Sequence, residues 1–500
     1  MIILKRGVMV ETFDLIVIGG GTGGLRLALR AAGEGLKTAI VDPGVLGGTC
    51  LNTGCIPSKA LLHAAELYQD ILHAGKFGIE VGKVRPHFSK IMARMHAIVR
   101  EGQEHITESV KARGLKIVRG KAVFVDQRTV QIRTKMITAK HFVISTGARP
   151  VVPSIRGIEK VLAMVSDDVL HLKTLPESLI IIGGGYIAME FATFFASLGT
   201  KVTIIEHNSR ILKELDSDIT QLLEAHYRAL GVSFLFEREI LEIVGKEGAV
   251  GVVCARTGKK SDTIKASHLL IATGRAPNTE SLGLDAAGVP TTDRGAIIVN
   301  DRLETANPVI YALGDVTGRA PFAHAAKREA FIILENILHG SELRMPFDAV
   351  PWAVFTDPPV GGIGLSEEKA AAKGMAYGVQ KAEYRRAGRA TIIGQPEGFV
   401  KVIYERSSRK VLGAFAIGAR ADDIIHEFVA FIKMGAKIED VHSVIHIHPT
   451  LSEVVEALQD VEPLPLSGKP PQKRISTATA SRARHYSRRH KFLPIPSRIC

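Results

Sequence analysis

Two cysteines five residues apart carry the most informative chemistry in this sequence. Cys50 and Cys55 stand in the run Gly-Thr-Cys-Leu-Asn-Thr-Gly-Cys-Ile-Pro-Ser-Lys at residues 48–59, directly after a glycine-rich segment. Thiols this close in sequence, beside a predicted nucleotide site, indicate a reversible dithiol/disulfide pair. In a regular helix their Cα atoms would lie about 8.6 Å apart, whereas a disulfide requires less than about 7 Å. The helix must therefore be irregular here, and we expect Gly54 and Pro57 to supply the irregularity.

Two other roles are conceivable for a cysteine pair of this kind. Zinc usually takes Cys-x2–4-Cys pairs with a second pair elsewhere, but the remaining cysteines, Cys254 and Cys500, lie far away in sequence. We therefore predict no metal site. The pair could also be two buried structural cysteines. Because 4 cysteines in 500 residues are too few for a secreted disulfide scaffold, a reducing, cytoplasmic compartment is expected.

The elements that must position the cysteines include two copies of one glycine-rich unit. In each copy an apolar strand runs into a glycine turn, a helix follows, and a second strand ends at an acid. The first copy comprises Gly19, Gly21, Gly24 and Asp42, and the second comprises Gly183, Gly185, Tyr186, Ile187, Ala188 and Glu206. The glycines permit a tight turn and close approach of a pyrophosphate to the helix N-terminus. Two such units predict an α/β protein with two dinucleotide sites; glycine turns without a ligand are the alternative.

The acids at the strand ends also bear on cofactor choice. A carboxylate at this position binds a free ribose 2′-hydroxyl and repels a 2′-phosphate. Glu206 therefore favours NAD over NADP, although His207 and Arg210 lie nearby.

Charge is concentrated at the C-terminal end. The chain has a formal net charge of +13, and residues 467–500 contain nine Lys or Arg and no acid. This composition predicts a disordered basic tail. A solvated extension is the favoured interpretation, and contact with nucleic acid or an anionic membrane surface is the alternative. The apolar run at residues 179–198 is interrupted by glycines and by Glu190, so we predict a buried strand–turn–helix and no membrane span.

Four further segments, together with the redox box at residues 47–59, extend this pattern along most of the chain. They are Ser145–Gly147, Ala272–Asn278, Thr305–Asp315 and His446–Glu453. With these motifs the sequence, from about Phe13 to Pro463, resembles the flavin-dependent pyridine nucleotide–disulfide oxidoreductases, and within them the dihydrolipoyl dehydrogenases. The ending Cys-Ile-Pro-Ser-Lys of the redox box resembles that branch more than the glutathione reductases.

The resemblance implies FAD and NAD as cofactors and a role for each matching residue. Cys50 would exchange with the substrate, and Cys55 would lie nearer the flavin. His448, oriented by Glu453, would be the acid–base pair; alone, His448 would more often be structural. Lys59 and Glu190 are further catalytic candidates, which would pair near the flavin. The further FAD-binding candidates are Gly48, Thr49, Ala122, Thr146, Gly147, Asp315 and Ala323. The further NAD-binding candidates are Ile240, Gly274 and Tyr186, and Tyr186 would gate the nicotinamide pocket.

The implied organisation has three folding regions. An FAD-binding domain would span residues 1–150 and 276–345, an NAD-binding domain 151–275, and an α+β dimerisation domain 346–466. In the last we predict strands at 353–356 and 399–404 and helices at 421–434 and 451–458. A long helical segment at 60–111 would follow the redox box.

The implied activity is oxidation of dihydrolipoamide to lipoamide with NAD⁺, in a homodimer whose acid–base pair serves the other subunit. A 2-oxoacid dehydrogenase or glycine cleavage complex would supply the lipoyl group. The nearest alternative is a related NAD(P)H-dependent disulfide or mercuric reductase. An alternative of another class is a non-catalytic flavoprotein tethered by its basic tail.

Overall fold

The computed structural model of the protein describes residues 2–3 and 9–464, with side chains from residue 10 onward. The predicted tail at 467–500 lies outside these residues. Within them the strands are β1 (Ile2–Ile3), β2 (Met9–Ile18), β3 (Thr38–Asp42), β4 (Lys116–Arg119), β5 (Ala122–Phe124), β6 (Thr129–Ile132), β7 (Lys135–Ile144), β8 (Ala148–Pro150), β9 (Ala163–Met164), β10 (Ser178–Ile182), β11 (Lys201–Ile205), β12 (Ser233–Leu235), β13 (Glu239–Lys246), β14 (Ala249–Ala255), β15 (Asp262–Ala266), β16 (His268–Ile271), β17 (Arg275–Pro277), β18 (Ile310–Ala312), β19 (Trp352–Val354), β20 (Val360–Gly364), β21 (Tyr377–Glu383), β22 (Gly398–Glu405), β23 (Val411–Gly418) and β24 (Gln459–Val461).

The α-helices of the same residues alternate with these strands over most of the chain. They are α1 (Thr22–Gly33), α2 (Gly48–Asn52), α3 (Cys55–Leu72), α4 (Phe88–Ala112), α5 (Ser166–Val169), α6 (Tyr186–Ser197), α7 (Ser217–Ala229), α8 (Leu284–Ala287), α9 (Ala323–His339), α10 (Glu367–Ala372), α11 (Gly388–Ile392), α12 (Ala421–Met434) and α13 (Ile438–His442). Short 3₁₀ helices cover Ala74–Phe77, Ile158–Lys160, Gly314–Thr317, Phe347–Ala349, Tyr384–Arg386 and Leu451–Ala457. No described helix is long and apolar enough to cross a membrane.

The first sheet has the strand order β4-β3-β2-β7-β6-β5. Strands β2, β3 and β4 are parallel, and β7 pairs in parallel with both β2 and β18. The apolar run of β2 is almost fully buried at Leu15–Ile18, as expected for a parallel strand covered on both faces. Because β18 returns to this sheet, the connectivity agrees with a discontinuous first domain, whose bounds stay a prediction.

The second sheet repeats this arrangement with the parallel order β12-β11-β10-β16-β9. An antiparallel sheet, β13-β14-β15, is formed by the segment between β12 and β16. Strands β8 and β17 pair antiparallel with each other, so the two segments predicted to cross between the nucleotide units lie together. The predicted strand–turn–helix at 179–198 is present as β10 and α6.

The third sheet is antiparallel, with the order β19-β20-β23-β22-β21-β24. The predicted strand at 399–404 and helix at 421–434 are present as β22 and α12. Three expectations were less accurate. The strand predicted at 353–356 is β19, which spans 352–354. The helix predicted at 451–458 is a 3₁₀ helix at 451–457. The long segment at 60–111 is two helices, since three glycines and Pro86 interrupt it between residues 73 and 87, and these residue types end helices.

A buried ion cluster joins the third sheet to helix α7. The Lys401 side chain on β22 is only 1% exposed, and its Nζ lies 2.8 Å from Asp216 Oδ2, 2.8 Å from Asp218 Oδ1 and 2.9 Å from Glu367 Oε1. Burial alone would lower the pKa of Lys401, but the three carboxylates raise it above its usual value. The lysine is therefore held as a cation in the interior.

Candidate functional site

The two glycine loops have the same geometry. Gly19 and Gly183 have φ of +107° and +108°, and a Cβ on either would collide with the carbonyl of Ser145 or Ala272. In contrast, a Cβ on Gly21 would find its nearest neighbour only at 4.0 Å, and one on Gly185 would meet nothing within 4 Å. Each loop thus leaves open space at the N-terminus of its helix, where backbone can approach a phosphate.

The two predicted acids anchor these loops. Asp42 accepts hydrogen bonds from the Gly20 N–H at 2.6 Å and the Gly44 N–H at 2.7 Å. Glu206 accepts from the Gly184 N–H at 2.5 Å and the Asn208 N–H at 2.7 Å. A carboxylate has about four acceptor positions, so each acid can still accept a ribose hydroxyl.

Ala122, predicted to bind FAD, and Ile240, predicted to bind NAD, occupy equivalent positions beside the two acids. Ala122 follows Gly120, whose N–H donates to the Asp42 carbonyl at 3.4 Å. Ile240 follows Arg238, whose N–H donates to the Glu206 carbonyl at 3.1 Å. The structure therefore places both candidates near the strand ends at which the acids stand.

The crossing segments bring further predicted residues together. Thr146 Oγ1 donates to the Asn278 carbonyl at 2.8 Å, and the Asn278 N–H donates to the Gly147 carbonyl at 2.9 Å. Gly274 has φ of +135°, and a Cβ there would meet nothing within 4 Å. Asp315 lies in a 3₁₀ turn after β18, and Ala323 is the first residue of α9.

The redox box is held against the first glycine loop. The Gly47 N–H donates to the Gly20 carbonyl at 2.8 Å, and a Cβ on Gly48 would lie 2.6 Å from the Cα of Gly21. Thr49 lies in the short helix α2, before Thr53 and Gly54 separate α2 from α3. The expectation that Pro57 contributes to this break is wrong, whereas Gly54 does lie in it. Pro57 lies in the first turn of α3, where a missing N–H costs no hydrogen bond.

No disulfide joins Cys50 to Cys55 in the structure, and the two thiols differ in pKa. The hydrogen bond from Cys55 lowers the pKa of Cys50 to about 6, with further contributions from the Thr22 hydroxyl and the charges of Lys327 and Lys59. The same hydrogen bond, together with burial, raises the pKa of Cys55. Cys50 is therefore the more acidic thiol of the pair. Thr22 and Lys327 were not predicted, because neither belongs to a cysteine-containing segment.

We expect the reduced protein to react with iodoacetamide at Cys50 with a midpoint near pH 6, well below the roughly 8.5 of a free thiol. The reaction rate follows the thiolate fraction, which rises as the pH passes through the pKa. The measurement is the alkylation rate between pH 4.5 and 9, with the modified cysteine identified by mass spectrometry. Lys327→Met and Thr22→Ala should each raise the midpoint; a single wild-type midpoint near pH 9 would contradict this assignment.

Lys59 and Glu190 form an ion pair between α3 and α6. The Lys59 Nζ lies 2.8 Å and 2.7 Å from the two Glu190 carboxylate oxygens. Glu190 Oε1 also accepts the Phe355 N–H at 3.3 Å. The pair therefore lies where the redox helix, the second nucleotide unit and the third sheet meet.

The predicted acid–base pair is also present. His448 Nδ1 lies 2.7 Å from Glu453 Oε1, and Glu453 Oε2 accepts the Thr450 N–H at 2.7 Å. These two bonds lower the pKa of Glu453. The His448 side chain is 78% exposed. Among the described residues no hydrogen bond or ion pair connects this pair to Cys50 or Cys55 within the chain.

Comparisons with known proteins place this arrangement in a family. Residues 13–330 match the model described as pyridine nucleotide-disulphide oxidoreductase, and residues 350–458 match the dimerisation domain of the same family. The chain belongs to the pyridine nucleotide-disulphide oxidoreductase family. As a member of that family it is an FAD-dependent disulfide oxidoreductase that uses NAD(P). The predicted α/β fold class and the family resemblance are confirmed, and the second match agrees with a homodimer.

Individual relatives in this pyridine nucleotide-disulphide oxidoreductase family match along nearly their whole length. Dihydrolipoyl dehydrogenase 3 of Haloarcula marismortui is 34% identical over 466 residues, 91% of this chain and 97% of the relative. Dihydrolipoyl dehydrogenase of Staphylococcus aureus is 35% identical over 450 residues, 89% of this chain and 95% of the relative. Among solved structures, the HOCl-induced flavoprotein disulfide reductase RclA from Escherichia coli is similar with a TM-score of 0.80 at 30% identity, covering 89% of this chain and 99% of that one.

Glu329 is a buried acid next to the turn at Gly314, and no sequence motif indicated it. Its side chain on α9 is 0% exposed, and its Oε2 accepts the Gly314 N–H at 2.6 Å. Its Oε1 is buried without a hydrogen-bond partner among the described residues. Burial raises the pKa of Glu329 to about 7, and the charge of nearby Asp315 acts in the same direction.

We expect Glu329→Gln to be more stable than the wild type above pH 7. The carboxyl ionises near pH 4.5 in the unfolded chain and near 7 in the folded one, so the wild type loses stability as the pH rises through this interval. The loss should reach about 3 kcal/mol. The measurement is the thermal midpoint of both proteins from pH 4 to 8.5, with the acid limit as the internal control. Parallel curves across this range would contradict the raised pKa.

Proposed function

We propose that this member of the family oxidises dihydrolipoamide to lipoamide with NAD⁺ as the electron acceptor. The observation that carries the proposal is the Cys50–Cys55 pair, which is held against one dinucleotide loop while Lys59 contacts the helix of the second. The relatives named dihydrolipoyl dehydrogenase support the choice of substrate.

The residues around the first glycine loop fit FAD. The open space at Gly21 lies at the N-terminus of α1, which favours a pyrophosphate, and Asp42 retains acceptor capacity for a ribose hydroxyl. When bound, FAD supplies the two-electron transfer between thiols and nicotinamide. The residues proposed to hold it are Gly19, Gly21, Gly24, Asp42, Gly48, Thr49, Lys59, Ala122, Thr146, Gly147, Asp315 and Ala323.

The thiol chemistry is assigned to four side chains. Glu453 holds Nδ1 of His448, which leaves Nε2 to accept the proton of a substrate thiol. The resulting thiolate attacks the Cys50 sulfur of the oxidised pair, and a mixed disulfide forms as the Cys50–Cys55 bond breaks. The second substrate thiol then displaces Cys50. The dithiol has lost two electrons to the cysteine pair, and its two protons lie on His448 and a cysteine sulfur.

We infer that the acid–base pair serves the cysteines of the second subunit. His448 is exposed and has no contact with Cys50 in its own chain, while it belongs to the region matched by the dimerisation domain. A site completed by two subunits explains both observations.

The second glycine loop supports NAD rather than NADP. Glu206 is buried at 7% exposure, and its carboxylate would lie next to a 2′-phosphate and repel it. Gly183, Gly185, Tyr186, Ile187, Ala188, Ile240 and Gly274 would complete this site. A 2-oxoacid dehydrogenase or glycine cleavage complex in the reducing cytoplasm would present the lipoyl group.

The test is NADH formation from NAD⁺ and dihydrolipoamide by the purified, FAD-loaded dimer. Activity with NAD⁺ that clearly exceeds activity with NADP⁺ supports the proposal. The substrate assignment fails if dihydrolipoamide gives no NADH while NADH still reduces the flavin.

A second candidate is a reductase that acts in the opposite direction on another disulfide. The similarity to the flavoprotein disulfide reductase RclA favours it. The same preparation should therefore be assayed for NADH and NADPH oxidation with glutathione disulfide and with mercuric ion. Faster turnover with either of these than with lipoamide would replace the first candidate.

A further inference from the structure

The chain's one tryptophan lies against the tyrosine proposed to gate the nicotinamide site. Trp352 is in β19, and its ring centroid lies 6.1 Å from that of Tyr186 with the planes at 33°. On another side it meets Phe415, with centroids 6.0 Å apart. A Cβ on Gly362 would collide with the indole, so the absence of a side chain there makes room for it. The strands of the third sheet thus hold Trp352 against α6.

The Tyr186 ring has no polar anchor among the described residues. No hydrogen bond to its hydroxyl is formed there, and burial raises the pKa of that hydroxyl to about 12. The ring therefore depends on packing for its position. Tyr186 also follows Gly185 directly, so its side chain starts where the backbone is open to a dinucleotide.

The same short segment contacts α6 a second time. The Phe355 N–H donates to Glu190, which lies four residues after Tyr186 and thus about one helical turn along α6. The Phe355 ring also lies 4.6 Å from Lys59 Nζ. Residues 352–355 therefore support the first turn of α6 at both ends.

We propose that Trp352 is a positioning residue that holds the Tyr186 ring at the mouth of the nicotinamide site and thereby controls entry of NAD(H). The inference rests on the proposed function, which puts the nicotinamide beside Tyr186. An aromatic pair of this kind changes an equilibrium by about two- to tenfold. The effect should fall on the nicotinamide half-reaction alone, because Trp352 has no described contact with Cys50 or His448.

The kinetic test compares Trp352→Leu with Trp352→Phe in the FAD-loaded dimer. Trp352→Leu should change the NADH dependence of flavin reduction by about threefold or more, whereas Trp352→Phe, which retains a ring, should change it less. Flavin reduction by dihydrolipoamide should stay within about twofold in both variants. An unchanged NADH half-reaction in Trp352→Leu, or equal slowing of both half-reactions, would overturn the proposal.

Tryptophan emission gives a readout that does not depend on turnover. Because Trp352 is the only tryptophan, emission excited selectively at indole reports its surroundings. Tyr186→Leu should shift this emission to longer wavelength without any ligand, and NAD⁺ should change it saturably in the wild type but much less in Tyr186→Leu. Unchanged emission in Tyr186→Leu would overturn the contact. If neither NADH nor NADPH reduces the flavin of the wild type, the proposed function is contradicted. The ligand-free emission of the wild type and Tyr186→Leu would still test the contact between Trp352 and Tyr186.

Discussion

Cys50→Ser is expected to lower NAD-dependent oxidation of dihydrolipoamide by at least about a thousandfold, since losses of this size follow removal of a nucleophile. A serine hydroxyl cannot form the mixed disulfide through which the substrate electrons reach the cysteine pair. Flavin reduction by NADH should persist, because it does not require Cys50. The measurement is the steady-state rate with dihydrolipoamide and, separately, the rate of flavin bleaching by NADH.

The matched control is Cys254→Ala. Cys254 is fully buried in β14, among apolar side chains that include Ile243 and Val252, and should have no role in turnover. Cys55→Ser should also stop dithiol oxidation. Substantial dithiol turnover by Cys50→Ser would rule out the assigned roles of the two cysteines.

Lys401→Met is expected to destabilise the protein by about 3–5 kcal/mol, the usual effect of removing one partner from a buried ion pair. Asp216 is 0% exposed. Without Lys401 the Asp216 carboxylate would keep as hydrogen-bond donors only the Glu367 and Glu368 backbone N–H groups, each at 3.2 Å. The measurement is the guanidinium and thermal unfolding midpoint of the FAD-loaded dimer.

Lys381→Met serves as the comparison for this variant. Lys381 pairs with Asp218 at the edge of the same cluster, but its side chain is 27% exposed. Its loss should therefore cost about 1 kcal/mol or less. Equal midpoints for the two variants would show that burial of Lys401 does not dominate the stability of the cluster.

The parts of the site that could be predicted from sequence are those in which a short segment determines its own geometry. The glycine loops are an example, because Gly19 and Gly183 need positive φ wherever the rest of the chain lies. Strands such as β10 were predictable because parallel strands are continuous apolar runs. Likewise, His448 and Glu453 are close enough in sequence for a pair to be proposed.

The remaining features depend on contacts between distant segments. Nothing near Lys401 in sequence indicates that Asp216 and Asp218 would surround it, and the burial of Glu329 depends on how α9 packs against the turn at Gly314. Trp352 contacts Tyr186 only because the third sheet places β19 against α6. Local pattern does not encode such contacts, so these residues were identified from the structure.

The hydrogen bonds of Glu206 have a consequence for protein engineering. A change of cofactor preference from NAD to NADP is commonly attempted by replacing the acid at the end of the second strand. Here that residue also accepts the Gly184 and Asn208 N–H groups, both of which shape the loop that a dinucleotide would meet. Replacing it by a residue without an acceptor would remove these two hydrogen bonds along with the charge. Specificity is therefore better redesigned at the exposed His207, with Glu206 retained as a fixed part of the scaffold.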